Sequence, residues 1–188
     1  MASNFIPRST TNTYLSRTSL VFLLVLLMTI FLVEAAHIEQ SRFERNFELK
    51  YYAITTRSGP NATAVAVAGV SGQLWSPSTF GSIIVVDDML LKHPNPYSQS
   101  VGRVQRLVVA ASIDGRYNYV TLSAIFTSNE HNSSTLQAQG TFDRASREPS
   151  ELSIVGGTGK FKRASGIAIV QTYDFLLFQA IFKFSLPK

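Results

Sequence analysis

The chain has 188 residues, no cysteine, three histidines and a formal charge of +5. That length suits one domain, and the lack of cysteine excludes both a disulfide framework and a thiol nucleophile. The basic residues form no cluster, which argues against nucleic acid as a partner, and His37, His93 and His131 have no ligand spacing, so no metal is expected.

From the N-terminus, Leu20 to Val33 is a run of 14 residues, apolar but for Thr29. Arg8 and Arg17 precede it, and Val33-Glu34-Ala35 supplies the small residues of a cleavage site. These features predict a secretory signal peptide over residues 1–35, cut after Ala35. A membrane anchor is the rival reading, although a bilayer span wants ~20 apolar residues. Residues 36–46 follow as a flexible lead-in, and residues 47–188 as the folded domain. The only helical hint, Ile38 to Lys50, reads equally as a frayed start to a first strand, Phe47 to Thr55.

Beyond Asn61 the chain is a series of short β-rich runs divided by Gly, Pro, Asn, Asp and Ser. Residues 63–70, TAVAVAGV, alternate little and suit a strand covered on both faces. A loop over 72–81 leads to β-branched residues 82–91, which meet an acid pair, Asp87-Asp88. A proline-rich loop over 92–100 precedes a strand over 101–113. Asp114-Gly115 then marks a hairpin turn, since a tight turn needs positive φ. In the returning strand Val120, Leu122, Ala124 and Phe126 share a face. Leu136, Ala138, Gly140 and Phe142 share one in the next. In the last strand Leu176, Phe178, Ala180, Phe182 and Phe184 oppose Phe175, Leu177, Gln179, Ile181 and Lys183. So many apolar strand faces, with few helices to cover them, predict closure into an antiparallel β-barrel. Asn61-Ala62-Thr63 and Asn132-Ser133-Ser134 are glycosylation sequons beside turn-forming residues, which places a glycan on each loop in a secreted chain.

The stretch SIVGGTGKFKRASGIAIV, residues 153–170, resembles a phosphate-binding loop at first sight. Gly159-Lys160 is followed by Phe161 rather than Ser or Thr, and Ile154 stands where the first glycine of such a loop belongs. A dinucleotide fingerprint lacks its third glycine. Gly156, Gly157 and Gly159 are therefore assigned to a structural turn between strands Leu152–Val155 and Ala164–Tyr173, where backbones pass close together. No G-x-S-x-G elbow occurs.

With its neighbours, VGGTGKFKRASG resembles the plant dirigent family's V-G-G-T-G-x-F-R-x-A-R-G. Asn61-Ala62-Thr63-Ala64 is similar to its N-A-T-S/A. Phe80-Gly81 with Val85-Val86-Asp87-Asp88 is similar to F-G-x-x-x-V-x-D-D-P-L. Ser100 to Gln105 resembles S-x-x-V-G-R-A-Q-G, and Asn132 to Leu136 resembles Y-N-G-S-T-L. The five blocks keep their order from about Phe47 to the C-terminus.

The resemblance implies a closed eight-stranded antiparallel barrel, allene-oxide-cyclase-like, secreted to the apoplast or cell wall, glycosylated, and assembled as a dimer or trimer. It implies no cofactor and no oxidation by the protein itself. A separate laccase or peroxidase makes phenoxy radicals from a monolignol such as coniferyl alcohol, and the barrel orients two of them so that they couple with one handedness. Some members close other rings by related quinone methide chemistry. A carboxyl group in the pocket suits the proton transfer. Asp87 and Asp88 are the candidates, and because neighbours on a strand face opposite ways, at most one points inward. Tyr117, Tyr119, Phe126, Phe142, Tyr173 and Phe178 are candidate ring-binding residues.

The departures fall on chemistry. The arginine of A-R-G, which the resemblance associates with the site, is Ser165, and Arg163, placed two residues earlier on the same strand face, is its candidate substitute. The G-x-Y after V-G-R-A-Q is Arg106-Leu107-Val108, the H-D after the first strand is absent at Ile54-Thr55-Thr56, and the proline after D-D is Met89. The alternative reading is a barrel that binds phenolics or cell-wall glycan without chemistry, or a structural wall protein.

Overall fold

The computed structural model describes residues 17–42, 44–128, 131–173 and 177–187. The chain divides into two units, Met1–Phe43 and Glu44–Lys188. In the first, helix α1 (Arg17–Arg42) runs for 26 residues, and its side chains from Thr18 to Ala35 are exposed. It is long and apolar enough to cross a membrane, a property that a signal sequence shares. Of residues 36–46, expected as a flexible lead-in, 36–42 complete α1 and 44–46 begin the first strand, where Glu44 to Asn46 pair with Pro187 to Ser185.

The second unit contains strands β1 (Glu44–Ile54), β2 (Ala64–Ala68), β3 (Ile83–Leu91), β4 (Ser100–Ala110), β5 (Tyr117–Phe126), β6 (Ser134–Asp143), β7 (Ser150–Thr158), β8 (Ser165–Thr172) and β9 (Leu177–Pro187). Consecutive strands from β2 to β9 pair antiparallel, and β9 pairs with β1 along the whole of β1. β1 and β2 then share one stave. β2 pairs with the first half of β3, from Ala64↔Val86 to Ala68↔Ile83, while β1 takes the second half at Tyr52↔Leu91 and Ala53↔Leu90. Nine strands thus fill eight positions, and the sheet closes into the eight-stranded antiparallel barrel. Closure satisfies edge groups that an open sheet would expose.

Period-two alternation sets the interior. Even-numbered residues face inward over most of β3 to β9, apart from register shifts that also bury Leu91 and Val101 and set Gly157 against Leu136, and odd-numbered residues of β1 face inward. The predicted faces of β5 and β6 hold, with Leu122, Ala124, Phe126, Leu136 and Ala138 buried. β2 departs from expectation. Val65 and Val67 are 54% and 52% exposed, so only the alanine face is covered. The β4 strand stops at Ala110 because the turn at Gly115, φ 70°, starts its reversal early and leaves Ile113 exposed. Phe175 and Leu176 lie outside the described residues.

One end of the barrel is filled by aromatic rings. Phe161 is buried, with ring centroids 5.3 Å from both Phe126 and Phe184, edge-on to each, and Phe184 stacks on Phe47 at 5.3 Å. Such pairs add ~0.5–1.5 kcal/mol beyond area burial. The glycine stretch builds this plug. Gly156 and Gly157 belong to β7, and Gly159 opens the 3₁₀ turn Gly159–Phe161 that drops Phe161 into the barrel. A Cβ on Gly157 would stand 2.4 Å from the Phe161 carbonyl oxygen and 2.7 Å from that of Thr135, and Gly159 has φ 60°. Close approach and a left-handed turn account for the motif.

Candidate functional site

Above the plug the barrel is hollow. A cavity of about 670 Å³ opens at the other end, within the usual size of small-molecule sites. Its walls are the inward residues of the strands: Ile84, Val86, Val108, Val120 and Leu122 on β3 to β5, Leu152 and Val170 on β7 and β8, and the rings of Phe142 and Phe178. Trp75 and Pro77, from the β2–β3 connection, and Arg144, Ser146, Arg147 and Glu148, from the β6–β7 connection, line the mouth.

At the β3 wall stands Asp88, with no exposed surface. Its parity follows Ile84 and Val86, so it points inward while Asp87 points out. Thr63 Oγ1 donates to Asp88 Oδ1 at 2.6 Å, and Thr55 Oγ1 donates to Oδ2 at 2.6 Å. Arg106 Nη2 donates to the same Oδ2 and forms an ion pair with it. Arg106 also donates to Thr55 Oγ1 at 2.8 Å, and its guanidinium carbon lies 4.6 Å from the centre of the Phe178 ring. The buried carboxylate is therefore matched by a charge and two hydroxyls, as a buried ion requires. Burial pushes the Arg106 guanidinium below its ordinary value, and Asp88 opposes that shift.

Asp87 instead pairs with Arg103 across the outer surface, Nε to Oδ1 at 2.8 Å, and that hydrogen bond raises the arginine's pKa. Of the six aromatic candidates, Phe142 and Phe178 line the cavity, and Phe126 sits in the plug beneath it. Tyr117 and Tyr119 have odd positions on β5 and face outward, where the Arg116 guanidinium covers the Tyr117 ring at 4.9 Å. Tyr173 is exposed, its hydroxyl donating to Gln179 Oε1 at 3.3 Å.

The structure does not bring Arg163 to the cavity. It is exposed, with φ 67°, and lies in the turn before β8 rather than on that strand, because the chain reverses between buried Phe161 and buried Ala164. Ser165 faces outward at the plugged end, its Oγ 3.5 Å from that of Ser185. An arginine missing there removes nothing from the cavity wall. Asn61 and Asn132 are both exposed on loops. Thr63, the hydroxyl residue of the first sequon, is also an Asp88 partner.

Arg106 was legible in the sequence only as a departure from a motif. Its position between Val104 and Val108 carried a signal: a charge on the inward parity of an apolar strand needs a buried counter-ion. Thr55 and Asn118, both buried, carried no comparable mark. Among the described residues, no cluster of three or more metal-binding side chains occurs.

Residues 47–186 match the family model described as dirigent-like protein. Dirigent protein 1 of Arabidopsis thaliana is 32% identical over 142 residues, covering 76% of this chain and 78% of its own. Pterocarpan synthase 1 of Glycyrrhiza echinata is 30% identical over 145 residues, covering 76% and 77%. The solved structure of the pterocarpan synthase dirigent protein GePTS1 superposes with a TM-score of 0.71 at 28% identity, covering 77% of this chain and 87% of that one.

Proposed function

Because the chain belongs to the dirigent protein family, whose members guide the stereoselective coupling of phenolic radicals, we propose that its cavity holds phenolic radicals made by a separate laccase or peroxidase and fixes the face on which they couple. One observation carries this reading: an apolar hollow in a closed barrel, open at one end, with Arg106 in its wall and the buried carboxylate of Asp88 paired to it from behind. Orientation supplies the selectivity. The aliphatic walls and the rings of Phe142 and Phe178 restrict how an aromatic guest lies, and restriction of approach is a large term in bimolecular coupling. Arg106, a lining residue held in place by Asp88, supplies a fixed polar end at which a hydroxyl or a developing negative charge on the guest is oriented.

A second reading has a specific observation behind it. Asp88 is already engaged by Arg106, Thr55 and Thr63. A carboxylate so occupied suits a barrel that binds a phenolic without moving its proton. Oxidising coniferyl alcohol with a one-electron oxidant in the presence of the protein separates the two. Guidance predicts an excess of one enantiomer in the coupled product, growing with protein concentration. A racemic product at saturating protein, with the alcohol still bound, would leave only the binding role.

Secretion to the cell wall and glycosylation at Asn61 and Asn132 belong to the same proposal, supported by the apolar N-terminal helix and by the exposure of both asparagines. So does a homodimer or homotrimer. Val65, Val85 and Leu107 lie side by side on β2, β3 and β4, facing outward and exposed, which makes an apolar stripe suited to a second copy. Light scattering of the purified chain tests it, and a monomer at micromolar concentration would overturn it.

A further inference from the structure

Five charged side chains line the cavity, and four are arginines: Arg57, Arg106, Arg144 and Arg147 against Glu148. Adding Asp88, behind the wall, still leaves a positive excess. A low-dielectric cleft with one sign of charge concentrates ions of the other sign, and charges in it interact more strongly than in water. Of these arginines, Arg106 stands on a strand of the cavity wall. This guanidinium has only 11% of its side chain exposed, and its ion pair with Asp88 uses Nη2. A guanidinium has five N–H donors. The Nε–H of Arg106 is buried and has no hydrogen-bond partner among the described residues. Higher on the wall, the Oδ1 of Asn118 is likewise buried without a partner. Orphaned buried polar atoms at a cavity wall call for polar atoms on the guest.

Two inward positions of β4 sharpen the chemistry. Where the dirigent pattern reads glycine and tyrosine, this chain has Arg106 and Val108, both in the cavity wall. The wall thus carries a guanidinium where the resembled pattern would place a glycine, and no phenolic hydroxyl two residues on. That exchange weakens recognition of a neutral hydroxyl and strengthens recognition of planar anionic oxygens, for which arginine's forked donors are suited.

We infer that this cavity prefers a phenolic guest bearing a carboxylate over the corresponding neutral alcohol, with the carboxylate held by Arg106 and drawn in past the arginines of the mouth. The inference rests on the phenolic-binding reading above and names the substrate class within it. Arg106 thereby acts twice. It neutralises Asp88 through Nη2, and as a lining residue it presents the exposed part of its guanidinium to the cavity.

The test is a calorimetric titration of the intact protein with 4-hydroxy-3-methoxycinnamate and, separately, with coniferyl alcohol, two probes differing chiefly in the charged group. The acid is expected to bind at least ~10-fold tighter at ~20 mM salt, with the gap narrowing at ~500 mM as the mouth arginines are screened. Arg106→Gln alone leaves Asp88 unpaired and risks misfolding, so the informative variant is Arg106→Gln with Asp88→Asn, which keeps a neutral hydrogen-bonded pair. In that double variant the acid should lose its advantage. Arg147→Gln, at the exposed rim, should reduce it several-fold. Equal affinity for acid and alcohol, or a preference that survives the double variant, overturns the inference and leaves phenolic binding standing. No binding of either probe overturns both. Tight, salt-sensitive binding of the acid, with racemic coupling of its radicals, upholds the inference and removes the guidance role.

Discussion

Arg106 and Asp88 form a diagonal ion pair inside the barrel. Asp88 is registered against Val104, two residues before Arg106, so the two side chains meet across β3 and β4 on the inward face. The pair joins the polar side of the cavity to its wall, and both its energetics and its chemistry are open to measurement.

Removing one partner should cost more than removing both. Arg106→Ala leaves Asp88 with two hydroxyl donors and no counter-charge, and breaking a buried pair in this way costs ~3–5 kcal/mol. Arg106→Leu with Asp88→Asn should lie well above that single variant in stability. Urea denaturation of both gives the comparison, and a double variant no more stable than Arg106→Ala would mean that the pair's charges do not depend on each other.

The two aspartates should separate cleanly. Asp87 and Arg103 are about half exposed on the outer surface, so Asp87→Ala should shift stability by no more than ~1 kcal/mol and leave product handedness alone. Asp88→Ala should abolish any enantiomeric excess in radical coupling. Ser165→Arg, on the outer face, should alter neither affinity nor handedness. Chiral chromatography of the coupled product reads all three, and an effect of Asp87→Ala equal to that of Asp88→Ala would contradict the inward assignment.

In the glycine stretch, neighbouring residues should respond differently. Gly157→Ala places a Cβ 2.4 Å from the Phe161 carbonyl oxygen, so the plug must shift. Gly156→Ala meets nothing closer than 4.0 Å, the Gln137 side chain. The first should destabilise by several kcal/mol, near the ~3–5 kcal/mol of emptying a buried phenylalanine site such as Phe161→Ala, and the second by less than ~1 kcal/mol. Thermal melts of the three variants check the order.

Asp143 connects stability to pH. Its carboxylate accepts the single Arg116 Nε–H, shared between both oxygens, and a hydrogen bond from Nη2, and Arg116 holds its pKa below the ordinary 3.8. A depressed carboxylate pKa stabilises the fold above the unfolded value and loses that contribution as pH falls through the folded one. Asp143→Asn should therefore lower the melting temperature modestly at pH 7, and the difference should shrink towards zero below about pH 3.8. A difference that persists unchanged at pH 2.5 would assign the effect to hydrogen bonding rather than charge.

Much of this molecule was readable from its residues. Alternation in Val120 to Phe126 and Leu136 to Phe142 determined the inward faces, because a strand turns each successive side chain to the opposite side. The Asp114-Gly115 turn and the glycines around Gly157 followed from backbone sterics alone. The acid pair was different. Ile83 and Val85 are as apolar as Ile84 and Val86, so no local contrast marked which parity faced inward and hence whether Asp87 or Asp88 was buried. The aromatic candidates mixed both faces of β5, and Tyr117 and Tyr119 fell on the outer one. The pairing of Arg106 with Asp88, the sharing of one stave by β1 and β2, and the displacement of Arg163 into a turn all depended on barrel closure. Closure is set by register between strands far apart in the chain, and such contacts leave no periodic mark in a single sequence. The residues specified each strand and its faces; only the closed sheet determined which charges met inside it.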